Sequence, residues 1–215
     1  MKFFSVDGGL YKFISRLWDV IKLNFLWLLF SLPIVTMGAA TVAAYSVTLK
    51  MVDDAEGYVA RQFVKAFKEN LKQGIPLGLI FLFCSYVVYL DFELFQKVEG
   101  NPIYLLAFGI VAAFIFTMAF IYAFPLSARY ANTLIGTIKN SVNIATRYFL
   151  RTLALVAVLA VEVVIFLFNS TTMFFGILIG PVCIMFTISG FAMHFFREIE
   201  KEPGAVTQTE EEKEN

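Results

Sequence analysis

The chain has 215 residues, 59% of them hydrophobic and 16% charged, with a mean hydropathy of +0.75 and a formal net charge of zero. Soluble domains run nearer roughly 45–50% apolar and about 25% charged, so a water-soluble fold is excluded: too much apolar surface would stay exposed. The neutral balance supplies no basic field for nucleic acid.

A membrane-crossing helix takes roughly 20 mainly apolar residues. The first charge-free run lies between Lys22 and Lys50. The lead-in before it is long and carries Lys2, Lys12, Arg16 and Lys22, so insertion is expected rather than signal-peptide cleavage. The second run spans residues 73–90 and ends at Asp91; the third spans 102–128 and ends at Arg129. The fourth, 152–168, contains Glu162, and the fifth, 172–196, ends at Arg197. The remainder, residues 198–215, reads EIEKEPGAVTQTEEEKEN; it is acidic, nearly free of apolar residues, and expected to be a disordered tail.

Orientation follows from lysine and arginine. The segment 50–72 holds Lys50, Arg61, Lys65, Lys68 and Lys72, and the segment 129–151 holds Arg129, Lys139, Arg147 and Arg151. The link 91–101 holds only Lys97, and Asn169–Ser170–Thr171 holds no cation. The two basic segments are therefore expected in the cytoplasm, together with the C-terminal tail. The basic N-terminus belongs there too, which a single crossing by the first run would forbid. That run contains SLPIVTMG at 31–38. Pro33 removes a backbone donor, Thr36 is a cap residue for a new helix, and Gly38 is permissive. These predict a hairpin turning near Pro33–Gly38, with arms at about 10–31 and 37–55. The alternative is one kinked span, five helices in all, and an external N-terminus.

The expected fold is thus all-α: a polytopic transmembrane bundle of five or six membrane helices over residues 1–197, at about 10–31, 37–55, 73–90, 102–128, 152–168 and 172–196. Two amphipathic elbows join them, at about 60–72 and 131–149. In the first, Ala60, Phe63, Phe67 and Leu71 form an apolar stripe with Arg61, Lys65, Lys68 and Lys72 off it. In the second, Leu134, Ile138, Val142, Ala145 and Phe149 do the same, with Lys139 and Arg147 elsewhere. Such helices lie in the membrane interface with the apolar face down, and Leu10, Phe13, Leu17 and Ile21 repeat the pattern near the N-terminus. Three modules, each an elbow followed by a hairpin, are suggested, although residue identity between them is low. The elbow cations Arg61, Lys65, Lys68, Lys72, Lys139, Arg147 and Arg151 are candidates for contact with lipid headgroups or an acidic partner, beside ordinary positive-inside anchoring.

Chemistry-bearing residues are few. Glu162 lies about eleven residues beyond Arg151, near mid-bilayer at 1.5 Å per residue, where an ionisable group is costly and usually faces the bundle interior. Ser85, Thr117 and the backbone near Gly180–Pro181 are expected at similar depth. Pro181 leaves a carbonyl of the preceding turn without its donor, and a protonated Glu162 can donate to one of these groups. The site is either a substrate, ion or proton site or a neutral acid pinning two helices. His194, the lone histidine, sits at the end of the last run. Asn169–Ser170–Thr171 matches a glycosylation sequon, in a link too short for modification. Cys84 and Cys183 stand in apolar runs without ligand spacing, so no metal is expected. No phosphate loop, nucleophile elbow, H-E-x-x-H, C-x-x-C or dinucleotide fingerprint occurs. No catalytic residue and no cofactor are assigned, and an enzyme is not expected.

SLPIVTMGAA at 31–40, EGY at 56–58 and FVKAFKENLKQG at 63–74 together resemble the YesL-like integral membrane proteins, a family of unknown function. Leu71 departs from the aromatic common at that position in the family. The resemblance implies a membrane protein of mostly Gram-positive bacteria, encoded beside sugar ABC uptake systems, sensor kinases and glycoside hydrolases. It therefore implies a role in carbohydrate uptake or its regulation, with ABC permease subunits or a sensor kinase as partners. Three functions follow as expectations: an accessory or regulatory component of such a system, an independent small carrier with a site at Glu162, or a structural, lipid-organising protein.

Overall fold

A computed structural model describes residues 9–55, 57–98 and 103–201, with side chains from Ile14 onward. All regular structure among them is helical: α1 (Gly9–Ser31), α2 (Met37–Val52), α3 (Val59–Glu69), α4 (Leu71–Lys97), α5 (Ile103–Phe120), α6 (Ala123–Arg129), α7 (Leu134–Arg147), α8 (Phe149–Leu167) and α9 (Ser170–Glu200). Among the described residues five stretches are long and apolar enough to cross a membrane: Ile34–Val52, Leu71–Lys97, Ile103–Arg129, Phe149–Leu167 and Ser170–Glu200. The first helix, α1, is not among them, because Arg16, Asp19 and Lys22 interrupt it.

A short 3-10 turn, Ile34–Thr36, separates α1 from α2. At the far end of the pair Arg16 meets Asp54 and donates to the Met51 carbonyl at 3.3 Å, so α1 and α2 run antiparallel. Thr36 stands at the N-cap position, but its hydroxyl does not cap α2. It donates back to the carbonyls of Phe30 (2.8 Å) and Pro33 (2.9 Å). Pro33 stops α1, and the Thr36 hydroxyl supplies a donor that the broken ladder lacks.

The centre of the bundle is α2, which packs against α1, α3, α4, α6 and α9. Its alanines and glycine are buried almost throughout, and such small side chains let neighbouring backbones approach. The approach is closest to α4. A Cβ on Gly78 would stand 2.5 Å from the Cα of Gly38, and a Cβ on Gly74 would stand 2.5 Å from the Cα of Ala39. Gly38 is thus required by a helix crossing as well as suiting a turn. On the α9 side, Thr48 and Ser189 share a buried hydrogen bond of 2.7 Å.

Several expected boundaries shift. The run 102–128 is not one helix: it breaks between α5 and α6. Pro125 lacks the N–H that would reach the Ile121 carbonyl, and its ring crowds that carbonyl. Ser141 of α7 enters the opened ladder, accepting from the Tyr122 N–H (3.2 Å) and donating to the Met118 carbonyl (3.3 Å). Helix α4 continues past residue 90 to Lys97, where Glu93 and Lys97 pair at 2.7 Å. Helix α9 runs to Glu200, so residues 198–200 are helix rather than disordered tail; residues 202–215 lie outside the described residues.

The elbows pack differently from the expected interfacial pose. The apolar face of α3 is filled by protein: Phe63 is fully buried, and Phe30 packs on Phe63 and Phe67 with ring centroids 5.4 and 4.8 Å away. In α7 the buried face is Thr137, Ser141, Ile144 and Ala145, while Val142 is exposed. Bonding to the α5–α6 break turns a polar residue inward and rotates the expected stripe. Ala60 is exposed on α3, and Leu71 and Phe149 open the next helices.

Candidate functional site

Polar side chains inside the apolar bundle are the natural place to look for chemistry. One of those buried among the described residues is Asn24 of α1, 1% exposed. Its amide nitrogen donates to the carbonyls of Ile177 (3.0 Å) and Leu178 (2.8 Å) on α9. Ile177 is four residues before Pro181, so its carbonyl is the one the proline deprives of a helical donor. The missing bond is made from another helix. The Asn24 Oδ1 atom is buried and has no partner.

Glu162 lies on α8, half-buried against α9. Thr187 donates to its Oε1 at 2.5 Å, while its Oε2 is buried without a hydrogen bond. The donor to the Pro181 break is therefore Asn24 and not Glu162. Ser85 and Thr117 are not brought to Glu162 either. Each donates to a carbonyl of its own helix, Phe81 and Ala113, both at 2.8 Å. They lie on the α4–α5 hairpin, whereas α8 packs on α9 and α7. Gly180 faces the Phe166 ring, and Gly176 does so more tightly, which seats α8 against α9. Asn169 serves as the N-cap of α9, accepting from the N–H groups of Thr171 and Thr172 at 2.9 Å each, with the Thr172 hydroxyl returning the contact.

The other polar concentration is one charged end of the bundle, where α2, α6, α8 and α9 come together. Arg197 meets Asp53, and Arg151 meets Glu198 at 3.1 Å. Arg129 grips Glu200 through two nitrogens at 3.1 and 3.2 Å, and the Tyr130 hydroxyl donates to Glu200 at 2.6 Å. Burial, with the Glu200 carboxylate beside it, raises the Tyr130 phenol above its ordinary value. His194 is 3.3 Å from Glu198 and well exposed. Exposed pairs of this kind are worth about 0.2–1 kcal/mol each and weaken with salt. Arg197→Gln should therefore lower the unfolding free energy by no more than about 1 kcal/mol, with the difference shrinking in high salt; a larger, salt-insensitive loss in denaturant titrations would show the pair to be structural in another way.

A cleft of about 440 Å³ opens at this end between α2, α3 and α6. Lys50, Lys65 and Arg129 line it together with Asp53, Glu69 and Asn70. Among the expected cations, Arg61, Lys65 and Lys68 are exposed on α3; Lys72 is exposed too, but in the first turn of α4. Lys139 and Arg147 are exposed on α7. Arg151 lies over Tyr148 and Phe195, 5.6 and 6.0 Å from their ring centroids. The elbow cations are thus spread over one end rather than gathered on a single ligand. No group of three or more His, Cys, Asp or Glu able to hold a metal occurs among the described residues.

Asn24 and the Gly74–Gly78 pair are what a reading of the sequence passes over. Both carry signals: an amide inside an apolar run, and two glycines four apart, the spacing at which small residues share a helix face.

Residues 20–92, about a third of the chain, match the model of a family described as "Protein of unknown function, DUF624", the family that residues 31–74 resemble. The matched segment includes Asn24, Gly38, Gly74 and Gly78. No curated protein and no solved structure matches the chain.

Proposed function

We propose that this membrane protein, whose residues 20–92 carry the DUF624 match, is a non-enzymatic accessory or regulatory component of a carbohydrate ABC uptake system or its sensor. The observation that carries the accessory reading is the division of polar groups. Inside the bundle they are mostly spent on joining helices: Thr48 with Ser189, Tyr122 with Thr152 at 3.1 Å, and Asn24 with the α9 backbone. Most of the exposed charge, and the polar cleft, lie at one end instead, with the Glu93–Lys97 pair at the far end of α4 as an exception. A molecule built this way offers a docking face rather than a lined path. The carbohydrate connection rests on the family resemblance, and positive-inside placement puts the charged end in the cytoplasm of a bacterial cell.

The test is mild crosslinking and pull-down of tagged protein from its own host grown on complex polysaccharide. ABC permease subunits or a sensor kinase should be recovered, and an Arg61→Glu/Lys65→Glu/Lys68→Glu variant should lose them while remaining folded. Equal recovery with the reversed charges, or recovery of the protein alone, would remove this reading.

A carrier is the second reading, favoured by one observation: the Oε2 atom of Glu162 is buried in an apolar helix pair with no partner. It predicts solute, ion or proton flux in liposomes that Glu162→Gln abolishes. Gradient-driven uptake equal to that of empty vesicles would sink it. A purely structural, lipid-organising role is the outcome left if both tests fail.

A further inference from the structure

We propose that the groove between α1 and α9 seats one anionic phospholipid, its phosphate at Lys22 and Trp18 and an acyl chain along the apolar walls beyond. The groove holds about 340 Å³ and is walled by Trp18, Phe25 and Leu28 of α1 and by Phe174 and Ile177 of α9. Its chemistry is graded along α1. Arg16, Asp19 and Lys22 fall in the part of the helix up to residue 22, and no charge follows before Lys50. The Lys22 ammonium turns back toward the charged part, 5.7 Å from the Trp18 ring centroid and 3.2 Å from the Asp19 carboxylate. An ammonium has three donors, and Asp19 occupies one. A lysine that extends toward the headgroups over a tryptophan is the usual marker of the membrane interface.

The floor of the groove explains why a hydrocarbon chain suits it. The Pro181 break would otherwise present the bare Ile177 carbonyl beside the groove, which hydrocarbon tolerates poorly. Asn24, which also lines the groove, donates to that carbonyl and turns its own Oδ1 into the interior, so the surface left to a chain is mainly aromatic and aliphatic carbon. The cation at the mouth selects a negative headgroup. This site is separate from the charged-end cleft, so the proposal stands apart from the docking reading.

Trp18 is itself the reporter, because Trp27 is the one other tryptophan. A Trp27→Phe protein would be reconstituted in phosphatidylcholine vesicles containing the same fraction of brominated phosphatidylglycerol or brominated phosphatidylcholine. Brominated phosphatidylglycerol should quench Trp18 as though enriched over the bulk by up to roughly five-fold, the scale set by one lysine at an anionic surface before the neighbouring Asp19 carboxylate is set against it. Lys22→Gln should reduce quenching to the bulk proportion, and Lys22→Arg should keep the preference. Equal quenching by the two lipids, or a preference that survives Lys22→Gln, would overturn the proposal. Quenching by neither lipid would also overturn it, since a protein segment would then cover the groove.

Discussion

Replacing Gly78 with leucine is expected to abolish the folded bundle. Even alanine there places a Cβ 2.5 Å from the Cα of Gly38, inside any real contact distance, and the neighbour is backbone that cannot rotate away. Helix α2 would have to move, and it touches five other helices. Overpacking of this kind costs about 1–3 kcal/mol for alanine, a large share of the roughly 5–15 kcal/mol that holds a typical fold. Leucine adds three more carbons at the same point. Size-exclusion profiles in mild detergent and thermal unfolding midpoints would show it. The control is Gly190→Ala in α9, where an added Cβ meets nothing within 4 Å and helix propensity improves by up to about 1 kcal/mol. If Gly78→Leu behaved like Gly190→Ala, the glycine crossing of α2 and α4 would be wrong.

Asn24→Leu should cost about 1–2 kcal/mol, between the roughly 0.6 kcal/mol typical of a hydrogen bond between membrane helices and the penalty for a buried carbonyl left bare. The informative experiment is the pairing with Pro181→Ala. Alanine returns an N–H to position 181, which can reach the Ile177 carbonyl along the helix. In that background the amide is no longer the sole donor, so Asn24→Leu should cost less than half as much. A double-mutant cycle of unfolding free energies in mixed micelles measures the difference. Additive costs would falsify the assignment of Asn24 to the proline break.

Hydropathy made the apolar stretches legible, because their signal is long and the physics behind it simple. The α1–α2 turn was legible for the same sort of reason, with Pro33 and Gly38 in one short segment. The α5–α6 break was not read, although Pro125 announced it. That proline lies in an apolar run, where Ser141 repairs the break from a distant helix, and only tertiary structure shows the repair. The end of α9 was misjudged because Glu198 and Glu200 read as an acidic tail. Arg151 and Arg129, 47 and 71 residues earlier, draw them into helix. The intramembrane cluster around Glu162 was legible in part. Depth along a helix can be counted, but azimuth cannot, and Ser85 and Thr117 turned out to lie on another hairpin. Asn24 was missed because it precedes the apolar core of its own run and its partner is 153 residues away.

The position of α9 has a consequence for biosynthesis. Central helix α2 emerges from the ribosome early, yet its Thr48 hydroxyl waits for Ser189, 141 residues later, and Asp53 waits for Arg197, 144 residues later. Until α9 is made, one wall of the core is open to lipid or to other chains. Assembly of the bundle is therefore timed by translation of its last described helix, and a stalled chain ending before Ser170 should remain a substrate for membrane proteases and insertion chaperones.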